Sequence, residues 1–311
     1  MRSRPRAPYS TDHRRSTNVS ATIARPPPAA AGNLFGCNYD DAFFREIADA
    51  FVSTGLRDKG YSYMLVQECI VKAGARDPVT HVVQPDAVKF PHGLADLADY
   101  FHSKGLKAGI YTDVAHLTCA GYEGSGPGGA FPAPGHWPLD ALTYAQWGFD
   151  MIEADFVSAE YQCGGGGGGG KADPQSHLSP PLTLSRLDLH ARVTPTATSP
   201  PTPSPVQCNT GGLNYTALEL YTMARDAIAA ATAATGRVVA LYQCNWGAEN
   251  PWEWAPEVAN LFRNTGDICG PGSIAFSSIL GNFDNTVKNS GTPGRLPGLP
   301  GTGVGAWNEC V

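Results

Sequence analysis

The sequence predicts an α/β fold: a parallel sheet covered by helices. Three observations carry that prediction. Short apolar runs alternate with stretches of helical periodicity at the spacing of βα units. Gly55, Gly105 and Gly148 close successive helical stretches before the next run begins. The run Phe149-Asp-Met-Ile-Glu-Ala-Asp155 ends on a carboxylate, at the strand end where such sheets place their sites.

In chain order, Asp40 or Asp41 can cap a helix whose inward face is Phe44, Ile47, Ala48, Phe51 and Val52. Tyr61 to Cys69 reads as a buried strand, and Arg76, Asp77 and Pro78 as a loop. Pro91 opens a second helix with Leu94, Leu97, Ala98 and Phe101 on one face. Leu106 to Thr112 is a strand with Asp113 at its end. A Gly-rich loop from Ala120 to Gly135 precedes a helix from Trp137 to Trp147, and the strand ending at Asp155 follows. The second half repeats the scheme. It has a helix from Thr216 to Ala234 and a strand from Val238 to Cys244, closed by Asn245-Trp246-Gly247. A short helix from Pro256 to Arg263 leads to a strand end at Asp267, and a last helix runs from Ser273 to about Lys288.

Of 311 residues, 42% are hydrophobic, enough for a substantial core. Three stretches offer little to bury: a basic, Pro-rich leader over 1–32, a low-complexity insertion over 164–211, and a Gly/Pro tail after Gly291. The domain expected is therefore 33–311, interrupted by that insertion. Net charge is −6 and no basic stripe lies outside the leader, which argues against nucleic acid as a partner. No run approaches the roughly 20 apolar residues of a membrane span. The leader fits an organelle-targeting segment and equally a misplaced gene start. Neither a Gly-x-Gly-x-x-Gly after the first strand nor a P-loop is present, so no nucleotide cofactor is expected.

The eight cysteines form no C-x-x-C pair and no zinc spacing. No metal is expected. Structural disulfides in an oxidising compartment are favoured over isolated buried thiols, and Asn214-Tyr-Thr216 fits a glycosylation acceptor. His81, His92, His102, His116 and His136 lack ligand spacing and read as loop or solvated-face residues.

Asp155 and Asp267, delivered by separate strand ends to one cavity, are the minimum equipment for cleaving a glycosidic bond. The bland alternative for each is a strand-end Asp that caps the next helix.

Longer stretches point further. Ala95-Asp-Leu-Ala-Asp-Tyr-Phe-His-Ser-Lys-Gly-Leu-Lys-Ala-Gly-Ile-Tyr-Thr-Asp113, Thr118-Cys-Ala-Gly-Tyr122, Cys244-Asn-Trp-Gly247, Phe262-Arg-Asn-Thr-Gly-Asp-Ile268 and Gly303-Val-Gly-Ala-Trp-Asn308 carry a resemblance. The chain resembles the α-galactosidase (melibiase) branch of glycoside hydrolase family 27, over about Asn33 to Cys163 and Gly212 to Asn308. The resemblance implies a (β/α)8 TIM-type barrel with a retaining site at the strand ends. Here the barrel is expected to be incomplete, lacking the family's first strand and its C-terminal β-sandwich. The activity implied is hydrolysis of terminal α-galactosidic bonds in a galactose-containing oligosaccharide or glycoconjugate, without a cofactor. An extracellular, cell-wall, vacuolar or lysosomal location follows from the same likeness.

Carried over residue by residue, Asp155 matches the nucleophile and Asp267 the acid/base. Arg263 matches a sugar-binding arginine, with a salt bridge to a helix face as its bland alternative. Asp113 matches the strand-end aspartate, and Trp246 a tryptophan that walls the sugar or simply packs. Cys37–Cys69 and Cys119–Cys163 match two family disulfides, while Cys208, Cys244, Cys269 and Cys310 are left without assigned partners. The departures bear on specificity. The family's Asp-Asp after the second strand is Gln67-Glu68 here, its Lys two residues before the nucleophile is Glu153, and its sugar-contacting Glu is Asn245. A buried site punishes misplaced hydroxyl partners heavily, and an anion at Glu153 opposes ionisation of Asp155. Two alternatives therefore stand beside α-galactosidase: a glycosidase for another sugar, such as an arabinopyranoside or an N-acetylgalactosaminide, and a non-catalytic sugar-binding or vestigial protein.

Overall fold

A computed structural model describes residues 37–118, 120–129, 131–156, 215–266, 280–282, 284 and 307–309. All belong to one compact unit, formed by Met1–Gln162 and Cys208–Val311.

The sheet has six parallel strands. They are β1 (Tyr63–Val66), β4 (Lys107–Asp113), β5 (Met151–Asp155), β6 (Ala240–Cys244), β7 (Leu261–Arg263) and β8 (Trp307–Glu309), paired in that order. Parallel neighbours need crossovers, and helices supply them. α2 (Gly93–Ser103) precedes β4, α3 (Trp137–Gln146) precedes β5, α4 (Ala217–Thr235) precedes β6, and α5 (Pro251–Val258) precedes β7. α1 (Asp41–Ser53) lies ahead of β1. This is a partial parallel sheet flanked by helices, as an incomplete (β/α)8 barrel would have.

The helices form where expected because local chemistry and burial agree. Asp40 caps α1 by accepting the Phe43 N–H, and Phe44, Ala48 and Phe51 are its buried stripe. Thr216 and Glu219 close a capping box on α4, and Gly236, at φ 72°, ends it. Strand side chains alternate between two faces. One face, with Met64, Val66, Ala108, Ile110, Ile152, Ala154 and Leu241, packs on the helices. The other carries a separate apolar cluster of Tyr63, Leu65, Met151, Ala240, Tyr242 and Leu261. The second cluster lies on the face that also carries Asp113 and Asp155, nearer the strands' amino ends.

Two expectations need correction. Of the loop expected at Arg76, Asp77 and Pro78, the last two lie in a turn but Arg76 does not: it ends β2 (Val71–Arg76), which forms an antiparallel hairpin with β3 (Val83–Pro85). Its turn is built by Asp77, whose Oδ1 accepts from the N–H groups of Val79 and Thr80. The helix assigned to Pro256–Arg263 begins at Pro251 instead, and Arg263 lies on β7. Pro251 takes the first helical turn, where proline's missing N–H costs nothing, while Pro256 sits inside the helix. Of the last predicted helix, residues 280–282 and 284 are described and are helical. The leader, the 164–211 insertion, Cys119, Cys163 and Asp267 lie outside the described residues.

Candidate active site

Strand register brings the predicted polar residues together in layers. Asp113, Asp155 and Cys244 are Cα partners across β4, β5 and β6. One step past the Gln243–Phe262 pair, Arg263 continues that layer on β7, and it pairs onward with Glu309 on β8. Paired strands lie about 4.8 Å apart, so the two aspartates and the arginine crowd one carboxyl-end rim. The next layer down holds Tyr111, Glu153, Tyr242 and Leu261. At the sheet's amino end, Asp150 is occupied structurally. It accepts from the Ala108 N–H at 3.0 Å, meets His102 Nε2 at 2.8 Å and accepts from Arg237 Nη1 at 2.9 Å. Thus His102 is part of a clamp rather than a solvated-face residue.

At the rim, Asp155 is 5% exposed. Its Oδ2 accepts from the Tyr111 hydroxyl at 2.6 Å, and its Oδ1 from the Phe156 N–H at 2.8 Å. Asp113 is fully buried, and its Oδ1 accepts the N–H of Ala115 at 2.6 Å. That bond is local turn chemistry and caps no helix, since the next one begins at Trp137. From the helix side, the Tyr221 hydroxyl donates to the carbonyls of Ala154, at 2.9 Å, and Cys244, at 3.1 Å. It ties the ends of β5 and β6 together, and burial pushes its phenol well above the ordinary range.

Gln67 and Glu153 meet directly: Gln67 Nε2 donates to Glu153 Oε2 at 3.0 Å, and both are buried. Glu68 turns the other way. Its Oε1 accepts the Ala120 N–H at 2.7 Å in the loop after β4, and its carbonyl accepts the Tyr39 hydroxyl. Burial raises its carboxyl above the usual range, countered in part by Ala120 and the Thr118 hydroxyl. Arg263 Nη1 lies 3.4 Å from Cys244 Sγ and its Nη2 3.4 Å from the Thr265 carbonyl. Asn245 is buried and its Nδ2 donates to the Ala248 carbonyl at 2.8 Å.

Backbone geometry at the rim is unusual in two places. Cys69, just past β1, has φ 63°, and Trp246, just past β6, has φ 52°. Left-handed conformations at bulky residues cost energy and concentrate at functional sites. Cys69 is also held by the expected disulfide to Cys37. Gly247 lets the β6 and β7 loops touch, since a Cβ there would lie 2.6 Å from the Asn264 carbonyl oxygen. A separate cleft of about 300 Å³, lined by Pro127, Phe131, Pro132 and Tyr215 among others, does not include the rim acids.

The contact absent from the sequence reading is Tyr111. Its signal was available in part, because it stands two residues before Asp113 on one strand and so shares its face.

A parallel sheet flanked by helices, with aspartates and an arginine at its carboxyl ends, defines the class: an incomplete barrel-type α/β protein, whose sites lie at that rim. Residues 35–165 match the melibiase family model described as α-galactosidase A. The chain is 34% identical over 236 residues to α-galactosidase A of Cellvibrio japonicus, covering 76% of this chain and 42% of that protein. It is 31% identical over 265 residues to an α-galactosidase of Coffea arabica, covering 85% of this chain and 53% of that one. The solved α-galactosidase I of Mortierella vinacea superposes with a TM-score of 0.58 at 24% identity, over 89% of this chain and 56% of that chain. At that identity the superposition speaks for the fold. The chain spans about half the length of the curated relatives it matches. It belongs, as a divergent member, to the glycoside hydrolase family 27-type melibiase/α-galactosidase superfamily.

Proposed function

We propose that this chain hydrolyses terminal α-galactosidic bonds with retention of configuration, acting on galactose-containing oligosaccharides or glycoconjugates. The observation that carries the reading is Asp155 at the end of β5, in register with Asp113 and flanked by Arg263 on one inner face. Asp155 attacks the anomeric carbon. Asp267, four residues beyond Arg263, protonates the departing oxygen and then deprotonates water. That chemistry requires the two carboxyl groups roughly 5–5.5 Å apart. Asp113, Arg263 and Trp246 hold the sugar, with Gln67, Glu68, Glu153 and Asn245 setting which sugar is accepted. The Cys37–Cys69 disulfide supports an oxidising location, outside the cell or in a vacuole.

The Gln67–Glu153 bond favours a second reading, a glycosidase of altered sugar specificity. An amide spent on Glu153 is not offered to a galactose hydroxyl in the same way as a carboxylate would be.

The test uses purified full-length chain with p-nitrophenyl glycosides of α-galactose, β-arabinopyranose and α-N-acetylgalactosamine. Turnover of the first, with loss of activity in both Asp155→Asn and Asp267→Asn, is the expected result. Preference for another glycoside moves the assignment to the second reading. Saturable sugar binding without turnover would overturn the hydrolase.

A further inference from the structure

Tyr111 stands on β4 with its ring on the inner face, 8% exposed. Its Cα partner on β5 is Glu153, yet its hydroxyl bonds Asp155 Oδ2, at 2.6 Å. The ring therefore reaches diagonally, one step toward the carboxyl rim, a reach open to aromatic and long side chains. The other carboxylate oxygen is held by the backbone of Phe156. Each oxygen of Asp155 thus has a donor, one a backbone N–H and the other a side-chain hydroxyl that substitution can remove.

We propose that Tyr111 is a positioning residue for Asp155: its hydroxyl aims the carboxylate for attack and takes up the charge that returns to it when the covalent intermediate breaks. This rests on the nucleophile reading given under Proposed function.

In the first step an Asp155 oxygen forms a bond to the anomeric carbon while the glycosidic C–O bond breaks. Its electron pair goes to the departing oxygen, which takes the proton of Asp267. The charge on Asp155 disappears into an ester. In the second step a water oxygen bonds to the anomeric carbon and gives its proton to Asp267. The ester C–O bond breaks, and its electron pair returns to Asp155. A phenol donor binds a carboxylate more strongly than an ester oxygen. Tyr111 therefore keeps Asp155 ionised before the first step and makes it a better leaving group in the second. The same bond tempers its nucleophilicity in the first, so losing the hydroxyl separates the two steps.

Among the described residues, the titratable and charged groups around Asp155 include Asp113 on β4, Glu153 on its own strand, Tyr242 and Cys244 on β6, Arg263 on β7, and Tyr221 from α4, and the proposed reaction adds Asp267. All of them remain in Tyr111→Phe, so a changed pH profile belongs to the lost phenol.

The experiment is the pH dependence of kcat/KM and the pre-steady-state release of p-nitrophenol, for wild type and Tyr111→Phe. The acid limb should move to higher pH by on the order of one unit, the size of one hydrogen bond to a charged group. kcat should fall about tenfold with a burst of p-nitrophenol, because ester breakdown has become limiting. 3-Fluorotyrosine at position 111, a near-isosteric and stronger donor, should move the limb the opposite way; it also serves if Tyr111→Phe does not fold. A uniform fall in kcat/KM with limb and burst unchanged overturns the inference while leaving the hydrolase reading intact. Absence of turnover by the wild type on every glycoside overturns both.

Discussion

Arg76→Met should be among the most damaging single changes in the described structure. Arg76 ends β2, with its side chain 6% exposed, and it grips a fully buried Asp140 on α3 through two bonds of 2.7 and 2.8 Å. It also donates to the carbonyls of His81 at 3.1 Å and Gly124 at 2.8 Å, and to Glu123 at 3.2 Å. Asp140 accepts from Ser125 Oγ at 2.7 Å, and Ser125 meets Thr112 Oγ1 at 2.8 Å, one residue before Asp113. Methionine fills comparable volume but supplies none of these donors. Asp140 is then left charged in the core with the Ser125 hydroxyl in place of a guanidinium. Removing one partner of a buried pair costs about 3–5 kcal/mol, a fifth or more of the roughly 5–15 kcal/mol that holds a typical domain folded. Urea unfolding followed by tryptophan fluorescence measures it. With a slope of about 2–3 kcal/mol/M, the midpoint falls by roughly 1–2.5 M. The double variant Arg76→Met/Asp140→Leu should recover most of the loss, because replacing both charges by apolar groups leaves no orphan. A single variant within about 1 kcal/mol of wild type, or a double no better than the single, would refute the reasoning.

Two further outcomes follow from burial and backbone geometry. Burial raises the Glu68 carboxyl above its ordinary 4.5, so near that pH the folded state holds a proton that the unfolded chain gives up. The stability this brings is whole below the ordinary value and is lost as pH rises through the raised one. Glu68→Gln should therefore flatten the decline measured by denaturant unfolding as pH rises above the ordinary carboxyl value, and an unchanged slope would contradict it. Gly247→Ala should cost roughly 1–2 kcal/mol for its left-handed backbone plus a similar amount for contact with the Asn264 carbonyl. Gly236→Ala, also at positive φ but in open space, should cost only the first part; equal thermal shifts for the two would remove the contact argument.

The strands that deliver Asp113 and Asp155 were legible because each is a local pattern: an apolar run, an acid at its end, and a glycine-stopped helix before it. Helix α2 was legible for the same reason, with Leu94, Leu97, Ala98 and Phe101 at helical spacing and all buried. The hairpin was not. Val71–Arg76 is interrupted by Ala73, Gly74 and Ala75 and lacks alternation, and Asp77-Pro78 reads as a break although it makes a turn. The start of α5 was ambiguous because Pro251 and Pro256 are both acceptable first-turn residues. Contacts within the site depend on register between strands far apart in sequence. Tyr111 and Asp155 are 44 residues apart, and Gln67 and Glu153 are 86 apart. No window of one strand shows which inner-face residue of the next lies beside it.

Gln67 and Glu153 do not even sit on neighbouring strands, since β4 runs between β1 and β5. Their bond needs a reason for β1 and β5 to close on each other across β4, and Gly109 supplies it. A Cβ at Gly109 would lie 2.9 Å from Leu65 Cδ1 and 3.0 Å from Met151 Cε, so side chains of the two outer strands occupy the space a residue on β4 would take. One layer above, Tyr111 leans toward Asp155 and leaves the gap between Gln67 and Glu153 open to both. That closeness makes the two departures from the family pattern a single change. An aspartate at position 67 facing Glu153 would set two anions across the 3.0 Å now spanned by a hydrogen bond, a juxtaposition that forces one of them to protonate. The family's Asp and Lys, and this chain's Gln and Glu, each provide one acceptor and one donor. The exchange moves the negative charge from the end of β1 to β5, onto the same strand face as Asp155 and two residues from it, where Gln67 donates to it. If the proposed site holds, the substrate meets the Gln67 amide already engaged with Glu153, which is where a change of sugar preference would begin.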